Sequence, residues 1–178
     1  MLEAIKSVLK QAASARQSGE AAEAERLYKA AAAEAKTKDD LSRAEALMGV
    51  AQTRRDQSDR IGASINYAEA ITILRSTNAT HDLASALRHA ADVRSELREF
   101  AAAGAHIEES IRLYRTLLLT QEAQPLDLAN ALRISALNDE REAHQSWTEA
   151  CAIYAELHLA AGITECEHHL EYLKGAKQ

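Results

Sequence analysis

One large residue flanked by two small residues recurs four times along the chain, at intervals of 39 to 40 residues. The large residue lies four positions after the first small one and three before the second, so all three share one face of an α-helix. The small side chains let a neighbouring helix approach closely, and the large one fills the space beside them. The pattern predicts four similar helices, each packed against a partner. The four copies are Ala24-Tyr28-Ala31, Ala63-Tyr67-Ala70, Ala103-Ile107-Ser110 and Ala143-Trp147-Ala150.

A second pattern, of alanine, leucine and alanine, lies in the segments that precede the last three of these helices. Its successive copies are 40 and 45 residues apart. Asp40, Asp82 and Asp127 stand near the starts of these segments, where a carboxylate accepts hydrogen bonds from the unpaired N–H groups of a helix N-terminus. The two patterns alternate, which predicts consecutive helix pairs. The copies are Ala44-Leu47-Ala51, Ala84-Leu87-Ala91 and Ala129-Leu132-Ala136.

Composition and length agree with an all-α fold in one domain, predicted over residues 1–178. Six glycines and one proline are too few for the turns of a multi-stranded sheet, and 178 residues suit a single folding unit. Because a helix that buries one stripe needs a neighbour, the pairs are expected to stack as an α-α solenoid of about eight helices plus a C-terminal capping helix. The expected repeats are 2–39, 40–80, 81–121 and 125–160, with the capping helix at 163–174. The helices are expected at 2–17, 20–37, 40–56, 59–76, 82–98, 100–121, 126–138, 140–159 and 163–174.

The residues of the second pattern carry a resemblance to a known family. A large residue early in the first helix, followed four positions later by a small one, resembles the tetratricopeptide repeat (TPR) family over nearly the whole chain. The period of about 40 exceeds the usual period of about 34, and the proline that often ends each unit is missing. The long helices are similar to the kinesin-light-chain-like branch, whose His-Pro-Asp-Val-Ala opening is similar to residues 80–84 and 125–129. The resemblance implies a right-handed superhelix of TPR-like helix pairs with a concave inner face.

The fourth repeat is irregular in its connections. The segment before Pro125 gains five residues, and the turn that follows the seventh helix loses five. Either Asn138-Asp139 begins a tight turn, or the seventh and eighth helices run on as one. In the second case the fourth repeat cannot fold back as a pair, and its apolar stripe needs another partner, such as a second chain. We favour the tight turn.

The resemblance implies a binding site on the concave face of the first helices, for a peptide or a helix of another protein. Arg55, Arg88 and Arg133 are candidates for a row of guanidinium groups that bind a carboxylate or an acidic segment. The alternative is that these arginines form ion pairs with acidic side chains of the same face. The candidate partner-binding residues are Arg16, Met48, Gln52, Arg55, Arg88, Asp92, Asn130 and Arg133.

Other residue clusters point to structural roles. Glu165 and His169 would share a helix face, but the spacings typical of zinc sites are absent, so no metal or other cofactor is expected. The histidines are scattered, with no serine or cysteine at a recognisable nucleophile turn, so no catalytic residues are assigned and the protein is not expected to be an enzyme. Cys151 and Cys166 are expected to be free thiols. At least one residue of Leu117–Leu119 must contact the fourth repeat, a partner or water, since one helix face cannot bury all three.

Charge and hydropathy bound the function further. The net charge of −6, with both signs mixed along the chain, gives no basic stripe for nucleic acid. No apolar run approaches the roughly 18 residues that span a membrane, and the first residues carry charges where a signal sequence is apolar, which indicates a cytoplasmic protein. The leading hypothesis is a non-catalytic scaffold that binds another protein or peptide of unknown identity. The alternative is a homodimer or larger homo-oligomer that assembles through the irregular fourth repeat and the C-terminal helix.

Overall fold

The computed structural model describes residues 2–175, which form nine α-helices. Every predicted helix is present, and its ends differ from the predicted ends by at most three residues. The predicted all-α solenoid of helix pairs is confirmed. Met1 and residues 176–178, which the predicted domain includes, lie outside the described residues. The helices are α1 (Leu2–Gln17), α2 (Ala21–Ala35), α3 (Asp40–Asp56), α4 (Arg60–Leu74), α5 (Thr80–Glu96), α6 (Phe100–Leu119), α7 (Pro125–Asn138), α8 (Glu140–Glu156) and α9 (Ala160–Gly175).

Each helix packs against the helices before and after it in sequence, as stacked helix pairs require. In addition, α1 contacts α3, and α5 contacts α7, so first helices of successive pairs also meet. We call the surface formed by α1, α3, α5 and α7 the first-helix face. It corresponds to the face that the family resemblance predicts to be concave.

The repeated large residue of each second helix is buried, together with its small neighbours. The Tyr28 ring of α2 lies directly over Gly49 of α3. In the next pair the Tyr67 ring of α4 stacks on His89 of α5, with 5.9 Å between ring centroids. In α8 the Trp147 ring stacks on His169 of α9 at 4.4 Å. Each of these side chains therefore packs against the residue 21 or 22 positions later, on the next helix in the stack.

The turns inside the first three pairs share one backbone conformation. Gly19, Ser58 and Arg98 all have positive φ angles, of 79°, 65° and 62°. In each turn the N–H of the following residue donates to a carbonyl five positions back, which closes the end of the first helix. Glycine adopts this conformation without strain, whereas serine and arginine do so at some cost.

The fourth pair has a different turn, and it decides between the two predicted alternatives. Asp139 is extended, with φ −130° and ψ 108°, and it alone separates α7 from α8. The two helices pack against each other, so the tight turn is confirmed and the continuous helix is wrong. Pro125 is the first residue of α7, where its missing N–H costs nothing, and Asp127 accepts from the Gln124 N–H at 3.0 Å.

The three leucines at the end of α6 have three different environments. Leu117 is buried, Leu118 is partly buried against the core, and Leu119 is 87% exposed to water. The expectation that one of the three lies outside the core is confirmed. No helix within residues 2–175 is long and apolar enough to cross a membrane.

We predict that Gly49→Ala destabilises the protein and that Gly104→Ala does not. A Cβ atom at Gly49 would overlap the buried Tyr28 ring, whereas one at Gly104, also inside a helix, meets open space. Both changes improve helix propensity by about 0.5–1 kcal/mol, but overpacking at Gly49 costs about 1–3 kcal/mol. Urea unfolding of the two variants measures the difference. Equal stabilities would show that the Tyr28 ring is not fixed over α3.

Candidate functional site

All eight candidate residues lie on α1, α3, α5 and α7, and they therefore share the first-helix face. Arg16 is on α1, and Met48, Gln52 and Arg55 are on α3. The other four, Arg88, Asp92, Asn130 and Arg133, are divided equally between α5 and α7. This shared placement follows from the helix bounds, while their role in binding stays a prediction.

A cavity of about 280 Å³, with both apolar and polar walls, opens between α1 and α3. Its apolar walls include Leu9, Leu41, Met48 and Leu74. Glu45 lies at the same cavity, and its pKa is raised by partial burial and by nearby Asp82 and Asp39. The remaining lining residues are Ala13, Tyr28, Gly49, Gln52 and Asp82.

A second cavity of about 290 Å³ lies next to it, and Gln52 lines both. We call it the arginine cavity, because Arg16 and Arg55 contribute its positive charges. Asp56 and the rings of Tyr67 and His89 complete its lining. A cavity with apolar and acidic walls therefore adjoins one that contains two arginines.

Two of the candidate arginines connect successive first helices. The Arg16 Nε of α1 lies 2.7 Å from an Asp56 oxygen of α3, and its Nη1 donates to Gln52 at 2.8 Å. The Arg55 Nη2 of α3 lies 2.5 Å from Asp92 and 2.8 Å from Glu96, both on α5. These guanidinium groups are fixed by partners within the chain.

Arg133 is paired in the same way with the last helix. Its Nε donates to the two carboxylate oxygens of Glu165 at 2.9 and 2.8 Å, and this hydrogen bonding raises the pKa of Arg133. On the same helix, Asn130 accepts a hydrogen bond from the Tyr154 hydroxyl at 2.9 Å. The alternative predicted for the arginine row, ion pairs with acidic side chains of the same chain, applies to Arg55 and Arg133.

Arg88 differs from the other arginines of the row. It makes no ion pair with any residue whose side chain the structure describes, and its Nη2 donates to the ring nitrogen Nε2 of His89 at 3.0 Å. Its Nε is buried and makes no hydrogen bond to a described residue. The buried hydroxyl of Tyr67 is likewise without a hydrogen-bond partner among the described residues.

His89 is the site residue that sequence reasoning missed. Burial lowers its pKa to about 3, and Arg88 and Arg55 contribute to the shift, so the ring is neutral. Because arginine has only donors, the neutral ring accepts at Nε2 and carries its proton on Nδ1. The sequence contained a signal for the stacking position of His89, because His89 follows Tyr67 by 22 positions, the same separation as between Trp147 and His169.

The remaining clusters have structural contacts. Glu165 is bound by Arg133, and His169 stacks on Trp147, so both members of the candidate metal-ligand face are engaged in joining α9 to the stack. Cys151 and Cys166 are free thiols, as predicted. Burial raises the pKa of the Cys166 thiol to about 12.

The comparisons with known proteins bear on the fold. No family model matches the chain, and no curated protein matches it in sequence. The crystal structure of BtubC (BKLC) from P. vanneervenii is similar, with a TM-score of 0.59 and 14% sequence identity over 97% of this chain and 80% of that one. At this identity the likeness shows the fold alone. The chain therefore has a TPR-like α-solenoid fold.

We predict that Arg55→Met lowers stability by about 1–3 kcal/mol, because it leaves a half-buried Asp92 without its partner. Arg115→Met is the matched control. Arg115 pairs with Glu149 at 2.7 Å, but half of its side chain is exposed, and surface pairs contribute at most about 1 kcal/mol. Denaturant unfolding compares the two variants. Similar small losses would show that the α3–α5 ion pairs do not stabilise the stack.

We predict that His89 makes stability depend on pH. Its pKa is 6.5 when unfolded and about 3 when folded, so its contribution is complete above pH 6.5 and is lost as pH falls toward 3. The loss is up to about 1.4 kcal/mol for each pH unit in that window. Unfolding free energies at pH 7, 6 and 5 should fall more steeply for the wild type than for His89→Gln. The exposed His144, changed to Gln, is the control, and parallel curves for all three proteins would contradict a neutral, buried His89.

Proposed function

We propose that this chain is a non-catalytic protein-interaction module whose first-helix face forms a concave groove for a peptide or helix of another protein. The observation that carries the proposal is the pair of adjoining cavities on that face. Met48, Gln52, Arg16 and Arg55, chosen from sequence as contact residues, line these cavities.

The two cavities suit a segment with both apolar and polar side chains. Leu9, Leu41 and Met48 offer apolar area to an anchoring side chain, and Gln52 leads to the charged part of the face. Small binding sites commonly combine apolar walls with a few polar groups that fix orientation. The row of first helices provides a surface along which such a segment extends.

The family resemblance supports the same function. The sequence features and the TPR-like fold together favour membership of the TPR family, in its kinesin-light-chain-like, long-helix branch. Members of that family usually bind peptides or helices on the inner face of the first helices. A repeat fold hosts many functions, so this support is by analogy, and the cavities carry the structural part of the argument.

The chemistry of the described residues also favours binding over catalysis. The Cys166 thiol has a pKa of about 12 and stays protonated, so it lacks the thiolate that a nucleophile requires. His89 is neutral and is held by Arg88 and Tyr67. We propose a cytoplasmic protein that binds neither nucleic acid nor membrane, in keeping with its net charge of −6.

Self-assembly is the weaker proposal. It was motivated by a fourth repeat unable to fold back, and α8 does fold back on α7. Leu119 is exposed, and so are four leucines of that repeat, Leu126, Leu137, Leu157 and Leu159, but exposed leucines are ordinary on a protein surface.

We predict that Met48→Glu weakens the binding of peptides selected by this chain by about tenfold or more. The new carboxylate replaces an apolar wall of the cavity beside Glu45 and is desolvated when a peptide docks, at a cost of about 1–3 kcal/mol. Peptides from a random-sequence library, selected on the full chain, are the probes, and fluorescence polarisation gives their dissociation constants.

The matched control is Ile65→Glu, because Ile65 is 62% exposed on α4, away from the first-helix face. It should leave affinity unchanged. Equal affinities for the two variants would contradict the proposed groove. Light scattering across a concentration series should give a monomer of 19.4 kDa, and a stable dimer would favour self-assembly instead.

A further inference from the structure

The contact between the last two helices is the basis of this inference. The Trp147 ring of α8 stacks on His169 of α9, and the Tyr154 ring of α8 lies directly over Gly162 of α9. Going forward seven positions along α8, from one ring to the other, corresponds to going back seven positions along α9. The two helices are therefore antiparallel, and these two contacts fix their register.

That register brings the two cysteines of the chain to the same level. Between the two contacts, the same counting places Cys151 of α8 opposite Glu165 of α9. The Glu165 side chain pairs with Arg133 of α7, and the adjacent residue, Cys166, is buried in the core that α8 lines. Cys151 is partly buried and packs against the same core. The two thiols are thus neighbours across the interface between α8 and α9.

The electrostatics and the helix spacing agree with this placement. Burial is the main cause of the raised pKa of the Cys166 thiol, and Cys151 is the next cause, an effect that acts over short distances. A disulfide bond requires Cα atoms within about 7 Å of each other. Gly162 lies one helical turn before Cys166, and the Tyr154 ring leaves no room for a Cβ atom there, so α8 and α9 approach closely at this point.

The two thiols differ in their access to solvent. Cys166 is fully buried, whereas Cys151 is only partly buried. Because its pKa is about 12, the Cys166 thiol also stays protonated in the packed structure. A small oxidant therefore reacts first at Cys151.

The position of α9 gives Cys166 a way to react in a second step. Among the described residues no helix follows α9, which packs mainly against α8 and is joined to α7 by the Glu165–Arg133 ion pair. In a solenoid each unit is held by its immediate neighbours, so a unit with a neighbour on one side opens more readily than an internal one. Each opening of α9 exposes Cys166 to water and to the side chain at position 151.

We propose that Cys151 and Cys166 form a reversible disulfide bond that locks α9 onto α8 when the protein meets a peroxide. The Cys151 thiolate attacks one oxygen of hydrogen peroxide, the O–O bond breaks, and the products are a sulfenic acid and water, which takes up the thiol proton. The Cys166 sulfur then attacks the sulfenic sulfur, whose hydroxyl group leaves as a second water with the Cys166 proton. Two thiols are oxidised by two electrons in total, and the peroxide is reduced to two waters.

Such a bond is a switch rather than a permanent link. In a reducing compartment disulfides are transient and are removed again by exchange with other thiols. While the bond exists, it holds Glu165 at Arg133, which is one of the candidate partner-binding residues. The oxidation state therefore sets how firmly α9 is held at the end of the stack.

The first test treats the reduced full chain with hydrogen peroxide. The intact monomer should lose the mass of two hydrogen atoms, both thiols should stop reacting with a thiol-specific reagent, and dithiothreitol should restore them. Digestion should give one linked pair of peptides, which contain Cys151 and Cys166. A disulfide-linked dimer, or a sulfinic acid at Cys151 with Cys166 still a thiol, would overturn the proposal.

Two single variants test the order of the steps. Cys166→Ser should accumulate a sulfenic acid at Cys151, which dimedone labels, whereas Cys151→Ser should leave Cys166 unmodified over the same time. Cys151→Ser keeps the buried residue unchanged, so it remains a valid test if Cys166→Ser is less stable. Oxidation of Cys166 in Cys151→Ser at the wild-type rate would contradict the proposed order.

The second test measures the lock by hydrogen exchange. Amide exchange across α9 should slow about tenfold or more after the bond forms, because closing a short loop strongly restricts the open state. Exchange in α1, at the other end of the stack, is the internal control and should not change. Peroxide-treated Cys151→Ser should exchange like the reduced wild type. Equal exchange in α9 with and without the bond would mean that it locks nothing.

These tests do not depend on the proposed binding function, since none of them uses a peptide. A protein that forms the bond but selects no peptides would contradict the groove and leave the disulfide switch standing. A protein that binds peptides as proposed, but whose thiols do not join, would overturn the switch alone.

Discussion

The close approach of neighbouring helices at small residues is the constraint on which the rest of this structure depends. Ala24, Ala63, Ala103 and Ala143 are each at most 3% exposed, and each lies four residues before the large side chain of its helix. A bulkier residue at these positions would push the helices apart and leave the large side chain in a gap. Because packing energy falls steeply with small gaps, the alanines determine the spacing of the whole stack.

That spacing also sets what the large side chains contact. Each ring reaches past its own pair to the next helix, where it meets Gly49, His89 or His169. Gly49 and His89 each have two tasks, since each contacts a ring of the preceding helix and also lines a cavity of the first-helix face. At His89 the two tasks are joined: one side of the ring stacks on Tyr67, and its Nε2 accepts from Arg88. The core thereby positions a side chain of the candidate site.

Sequence reasoning was most successful where one periodic pattern determines the structure. The helix pairs and the buried stripe follow from the spacing of small and large residues, and Gly19, with φ 79°, is of the residue type that favours a positive φ in a turn. Ser58 and Arg98 adopt the same conformation without such a signal. The tight turn at Asp139 was favoured but not determined by the sequence, because a change in loop length does not fix how two helices are joined.

The side-chain partners across repeats were not predictable to the same degree. The candidate residues all lie on first helices, but which of the arginines are paired depends on residues some 30 to 40 positions away. Arg55 forms ion pairs with Asp92 and Glu96, and Arg133 forms one with Glu165. Arg88 and Arg133 can be compared because the stacked rings of His89 and His169 show which positions of α5 and α9 are equivalent. The sequence periodicity predicts the helices, but only the structure shows that Arg88 lacks the carboxylate partner that Arg55 and Arg133 have.

The exception lies at one step of the stack. Ion pairs join α1 to α3 and α3 to α5, whereas α5 and α7 are joined by the hydrogen bond between Ser95 and Asn138 and by His81 with Asp127 at 3.4 Å. In a solenoid each unit is stabilised mainly by its immediate neighbours, so the free-energy cost of a charge without an ion-pair partner is confined to the adjacent units. The α5–α7 step is therefore held without an ion pair from Arg88, whose Nη2 donates to His89 instead.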